Sequence, residues 1–89
     1  MARYRILIKA SAAKELENIG SQKDRRRIVK RIAGLADDPR PAGCEKLSGK
    51  DRYRIRQGDY RIIYSIEDDI LIVHIVRIGN RKDIYRRDK

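Results

Sequence analysis

Gly58-Asp59 sits between two alternating runs, and a third apolar run follows after Glu67-Asp68-Asp69. That spacing constrains the chain more than any other feature. Arg52 to Gln57 alternates Arg52, Arg54 and Arg56 with Tyr53 and Ile55, so it reads as a half-buried strand. Tyr60 to Ile66 and Ile70 to Ile78 read as two more strands. Connections this short cannot carry a crossover, so the three must form an antiparallel meander. The last run is almost continuously apolar, which predicts a central strand covered on both faces.

The first half supplies the cover. Tyr4 to Lys9 predicts a strand with Tyr4, Ile6 and Ile8 on one face. Ser11 is a candidate cap for a helix over Ala12 to Ile19, ended at Gly20. Ser21 can cap a second helix reaching about Asp37, whose Ile28, Ile32, Leu35 and Ala36 make one apolar stripe. Asp38-Pro39-Arg40-Pro41-Ala42-Gly43 breaks the helical pattern, Leu47 to Lys50 predicts another loop, and residues 81–89 form a short basic tail. The expected fold is α+β, in the order β-α-α-β-β-β. It has a mainly antiparallel four-stranded sheet with a helical hairpin on one face. At 89 residues one domain is expected over 1–89.

Composition narrows the function. Lys and Arg number 23 against 13 Asp and Glu, a net charge of +10, and Arg supplies 15 of the 23. Arg grips phosphate bidentately, so the excess points to polyanionic partners: nucleic acid, an acidic protein, or both. A lone cysteine, Cys44, allows no intrachain disulfide, and no apolar run reaches membrane-span length. A cytoplasmic protein without a membrane partner is expected. One His and one Cys, 30 residues apart, give no reason to expect a metal, and no glycine pattern of a nucleotide-binding loop is present. The expected cofactor set is empty.

The candidate chemistry is therefore cationic. Arg54 and Arg56 share a sheet face, Arg61 lies across the hairpin, and Arg81, Lys82 and Tyr85 follow the last strand. A meander gathers these ends. The cluster suits phosphoryl transfer, where a pentacoordinate phosphorane needs its charge neutralised; the other reading is a solvated basic face. Lys23, Arg26, Arg27, Lys30 and Arg31 on the second helix are either a solvated helix face or a contact for phosphate or an acidic partner.

Three blocks also carry a family resemblance. These are Cys44-Glu45-Lys46-Leu47-Ser48-Gly49, the run Tyr53-Arg54-Ile55-Arg56-Gln57-Gly58-Asp59-Tyr60-Arg61-Ile62-Ile63-Tyr64, and Ile78-Gly79-Asn80-Arg81-Lys82-Asp83-Ile84-Tyr85. Together with Tyr4 through Leu16 and Asp38-Pro39-Arg40-Pro41 they resemble RelE toxins of the RelE/ParE type II toxin–antitoxin superfamily, over nearly the whole chain. The resemblance implies a metal-independent, ribosome-dependent endoribonuclease. Such an enzyme enters the ribosomal A site, contacts rRNA, and cleaves mRNA by attack of the 2′-hydroxyl on the adjacent phosphate. It implies an acidic RelB-like antitoxin, with operator DNA reached only through the toxin–antitoxin complex.

Carried over, Arg61 stabilises the transition-state phosphate, Arg81 serves the leaving 5′-oxygen, and Tyr85 stacks on a base or moves a proton. Arg54 and Arg56 stand where well-studied RelE members have Lys. As arginines they can bind phosphate but cannot act as base, which leaves Tyr85 or groups of the ribosome or mRNA, with Tyr85 the expected base. Lys23, Arg26, Arg27, Lys30, Arg31, Arg77 and Lys82 are the expected RNA and ribosome contacts. The alternative is a ParE-type toxin that poisons DNA gyrase without cutting RNA. Against it stands the joint presence of Arg56, Arg61, Arg81 and Tyr85. A non-catalytic basic binding module is the third possibility.

Overall fold

Gly58 adopts φ 60°, a conformation that costs glycine nothing, and so lets the runs on either side of it fold back on each other. The computed structural model describes residues 3–47 and 51–80. Its elements are β1 (Arg5–Ile8), α1 (Ala10–Glu17), α2 (Gln22–Gly34), β2 (Glu45–Lys46), β3 (Tyr53–Gln57), β4 (Tyr60–Glu67) and β5 (Ile72–Asn80). The sheet order is β1-β5-β4-β3-β2. β3, β4 and β5 form the expected antiparallel meander, while β1 lies parallel to β5, with the helical hairpin between them in sequence.

The α+β class and the helical hairpin on one face agree with the sequence reading, but the described sheet has five strands, not four. The additional strand, β2, pairs Glu45 with Arg54 and Lys46 with Tyr53. Two residues are too few to show alternation, so no periodicity announced it. Helix α1 starts earlier than expected. Lys9 takes the cap position without a side-chain bond, and Ser11 lies within the first turn. Ser21 does cap α2, accepting the Asp24 amide on its hydroxyl at 3.2 Å.

The core is one cluster between the helices and one sheet face. Ala12, Ile19, Ile28, Ile32 and Leu35 meet Ile55, Ile62, Tyr64, Ile66, Val73, Ile75 and Ile78. Tyr4 and Ile6 pack against it, whereas Ile8 is 41% exposed and leaves the expected apolar face. Central position and cover also divide differently from expectation. β4 is the middle strand, and β5 lies between it and β1. On β5 Val73, Ile75 and Ile78 are buried, and the residues between them are partly exposed.

A register shift explains the unbroken apolar run. Ile63 pairs with Arg77 and Tyr64 with Ile75, which leaves Val76 as an extra residue. Ile75 and Ile78 are three apart and would point to opposite faces of a regular strand. The bulge lets both face the helices. It also puts Arg77 and Gly79 on the same face as Arg61.

The sheet end remote from Gly58 is fastened by polar groups. Arg40 donates to both Asp68 carboxylate oxygens, at 3.3 and 2.9 Å, and the Tyr4 hydroxyl donates to Asp68 at 2.7 Å. The Arg40 Nε donates to the Tyr53 hydroxyl at 3.2 Å, and its guanidinium lies 5.2 Å from the centre of that ring. Tyr53 stacks on Tyr64, whose buried hydroxyl donates to the Pro39 carbonyl at 2.7 Å. Burial raises the Tyr64 phenol, with Cys44 adding to the rise.

Arg40, and then Tyr4, hold the Asp68 carboxyl below its ordinary range. A depressed carboxylate stabilises the fold above the unfolded-state value, near about 3.9, and that contribution disappears as pH falls through the folded value. Asp68→Asn is therefore expected to lower the thermal midpoint at pH 7, and the gap to wild type should close on acidification below about pH 4. Melting curves across a pH series check this; a gap that ignores pH would refute the role given to Asp68.

Candidate functional site

The β3–β4 hairpin sets the geometry of the arginine cluster. Its register puts Arg56 directly opposite Arg61 and Arg54 opposite Ile63. Ile55 and Ile62 point into the core, so alternation sends Arg54, Arg56 and Arg61 together to the face away from the helices. Arg54 and Arg56 share a face as expected, and the register adds Arg61 to it. Gly79 lies across from Arg61 on the β5 side and brings no side chain against it.

Like charges placed directly opposite across a sheet repel. Arg56 is exposed, but Arg61 is only 5% exposed. A fold has no structural need to sink a second cation beside the first. An anion held between them would turn this repulsion into attraction, and a guanidinium pair suits a phosphate through its forked donors. Guanidinium groups bind and stabilise negative charge but do not act as proton acceptors.

Carboxylates border the cluster on two sides. Glu45 of β2 lies 3.0 Å from the Arg54 guanidinium, with Arg54 at 20% side-chain exposure and Glu45 at 66%. Glu15 of α1 accepts the Ile78 amide at 3.0 Å, and its other oxygen is 4.0 Å from Arg77. Glu15 thus satisfies a backbone donor on the part of β5 beyond its pairing with β1. Neither carboxylate carries a sequence signal, because each acts through a partner supplied by another element. On the same face, farther along, His74 and Glu67 contact each other at 2.8 Å.

The other expected contacts form a separate group. Lys23, Arg26, Arg27 and Lys30 are exposed on α2, and Arg31 is half-buried. They lie on the helix side of the sheet, not with Arg61. On that side Arg27, Lys30, Arg31, Gly34 and Gln57 line a groove of about 380 Å³. Arg77 stands with the sheet-face group, paired in register with Ile63. Arg81, Lys82 and Tyr85 lie outside the described residues. Among the described residues no group of His, Cys, Asp or Glu could hold a metal ion, and no helix is long and apolar enough to cross a membrane.

Comparison with known proteins gives this arrangement a context. Residues 6–85 match the family model for the ParE toxin of the type II toxin–antitoxin system parDE. Over 35 residues the chain is 46% identical to toxin RelG of Mycobacterium tuberculosis, a stretch covering 39% of this chain and 40% of that protein. Among solved structures it is similar to one of the archaeal RelE–RelB complex from Pyrococcus horikoshii. That match has 31% identity and a TM-score of 0.79, over 91% of this chain and 97% of that one. It is also similar to a doubly substituted Escherichia coli toxin RelE in the free state. There the identity is 25% and the TM-score 0.76, over 97% of this chain and 93% of that one.

Proposed function

Because the chain belongs to the ParE toxin family of type II toxin–antitoxin systems, within the RelE/ParE superfamily, we propose that it is a toxin of the RelE kind: a ribosome-dependent endoribonuclease that cuts mRNA in the A site. The observation that carries this reading is the cross-strand pair Arg56–Arg61, with Arg54 on the same face. Three cations on one face match the needs of a phosphorane. Arg61 stabilises the charge on the non-bridging oxygens, and Arg56 and Arg54 bind the phosphate. Arg81 follows β5 directly in sequence and serves the leaving 5′-oxygen, while Tyr85 stacks on or orients a base, or takes the proton of the 2′-hydroxyl. RNA brings its own nucleophile, so the cut asks for charge, orientation and proton transfer, and needs no metal.

The basic face of α2, with Lys23, Arg26, Arg27, Lys30 and Arg31, contacts ribosomal RNA in this reading, and Arg77 and Lys82 add to the RNA contacts. The counterpart is an acidic RelB-like antitoxin, in keeping with the archaeal relative solved as a RelE–RelB complex. Operator DNA is reached only through that complex, and the site of action is the cytoplasm.

The rival is gyrase poisoning, and the family model's own description keeps it in view. One experiment separates them. Purified toxin added to a cell-free translation reaction is expected to stop incorporation of labelled amino acid, and the same concentration should leave DNA supercoiling by gyrase untouched. Blocked supercoiling with undisturbed translation would reverse the assignment.

A further inference from the structure

The sheet face that carries Arg61 stays basic beyond the site described above. Past the end of β1, Lys9, Ser11, Glu15, Arg52, Val76 and Arg77 line an open cavity of about 340 Å³. Small-ligand sites begin at about this size. Four stretches of chain meet there. Lys9 follows β1, Ser11 and Glu15 belong to α1, Arg52 precedes β3, and Val76 and Arg77 belong to β5. Val76 is the extra residue of the bulge, and Arg77 beside it stands on the Arg61 face. Bulges re-aim side chains and gather near functional sites.

Charge in this cavity is not balanced. Arg77 has an acid within reach, Glu15 at 4.0 Å, whose other oxygen holds the Ile78 amide. Among the described residues no carboxylate forms an ion pair with Lys9 or Arg52. Lys9 also stands where a cation is disfavoured. It is the residue before α1, at the positive end of the helix dipole, and its side chain makes no capping bond. Two cations without an acidic partner, one of them set against a helix dipole, cost the fold something that a bound anion would offset.

The register indicates which anion. Ile63 pairs with Arg77 and Arg61 with Gly79, so the cavity begins one row along and one strand over from Arg61. With about 3.3 Å per residue and about 4.8 Å between strands, the Cα atoms of Arg61 and Arg77 are roughly 8 Å apart. Arg56, Arg61, Arg77 and Lys9 thus mark a path across β3, β4, β5 and the end of β1. One phosphate fills one end of that path, and a strand of phosphates fills the whole of it. Grooves that track a single-stranded backbone carry their cations in this way. We propose that Lys9 and Arg52, with the Ser11 hydroxyl as a neutral donor, bind the phosphate next to the one that is cut, in the same RNA strand. The assignment rests on the ribonuclease reading above.

Single-turnover cleavage of mRNA on programmed ribosomes, across a toxin titration, tests it. The mRNAs carry either normal linkages or one neutral methylphosphonate, on the 5′ or the 3′ side of the cut. On the normal mRNA, Lys9→Ala and Arg52→Gln are each expected to raise the half-saturating toxin concentration about tenfold. Each should also flatten the plot of log affinity against log salt by about one unit of slope. On one of the two neutral linkages both variants should fall level with wild type, because the charge they would meet is already gone. Lys14→Ala, which removes an exposed cation of α1 outside the cavity, should follow wild type on every mRNA. If Lys9→Ala and Arg52→Gln match wild type on normal mRNA, or keep the same deficit on both neutral linkages, the cavity does not hold that phosphate. The ribonuclease reading then stands, since wild type still cleaves. Weaker binding of a poly-glutamate peptide by the two variants, with no change on mRNA, would make the cavity a site for acidic protein and overturn the proposal. Intact mRNA with the wild-type protein overturns both the proposal and the ribonuclease reading.

Discussion

Arg61→Ala is expected to abolish the killing activity while leaving the fold in place. Loss of one preorganised charge donor to a developing oxyanion costs roughly 100- to 1,000-fold in rate. Arg61 is the least exposed cation of the cluster, so water cannot easily stand in for it. Its removal also ends the direct repulsion with Arg56. Catalysis and stability should therefore part company: cleavage collapses, while the fold persists with a thermal midpoint lowered by the packing of the lost stem. Arg61→Lys should recover part of the rate, since it keeps the charge but not the forked geometry. Rate assays and melting curves on the three proteins check this. A substitution that unfolds the protein would mean that Arg61 holds the sheet together and does not serve the site.

Ile62→Ala should act in the opposite way. Ile62 is fully buried on the middle strand, in the cluster that joins both helices to the sheet. Truncating such a side chain removes apolar contacts and leaves a cavity, at a cost of about 2–5 kcal/mol. For a chain of this size that is a large share of a total near about 5–15 kcal/mol. Val29→Ala, on the exposed side of α2, should change stability by no more than about 0.5 kcal/mol. Urea unfolding of both variants measures the contrast. Equal costs would show that the core does not lie where the structure puts it.

Legibility in the sequence followed periodicity and local chemistry. The Gly58-Asp59 turn, the Ser21 cap and the stripe Ile28-Ile32-Leu35 are each set by residues within a few positions of one another, and each is found where the pattern predicts it. The shared face of Arg54 and Arg56 follows from a spacing of two, and Arg61 joins them through the hairpin register. What the pattern hid depends on distant partners. Strand β2 exists only because β3 offers it an edge. The bulge at Val76 reconciles two isoleucines three apart with one buried face, a demand set by β4 and the helices. The acidic turn reads as a solvated loop, yet Asp68 joins Arg40, 28 residues away, and Tyr4, 64 residues away. The Glu45–Arg54 ion pair is hidden for the same reason: its two members stand nine residues apart and one strand across.

The central claim is that the arginine face cuts mRNA on the ribosome, and mapping mRNA 5′ ends by primer extension in a cell-free translation reaction tests it most directly. Wild-type protein should create new ends inside the A-site codon, with none when ribosomes are left out and none with Arg81→Ala. Intact mRNA under the same conditions, or ends that persist with Arg81→Ala, would contradict it.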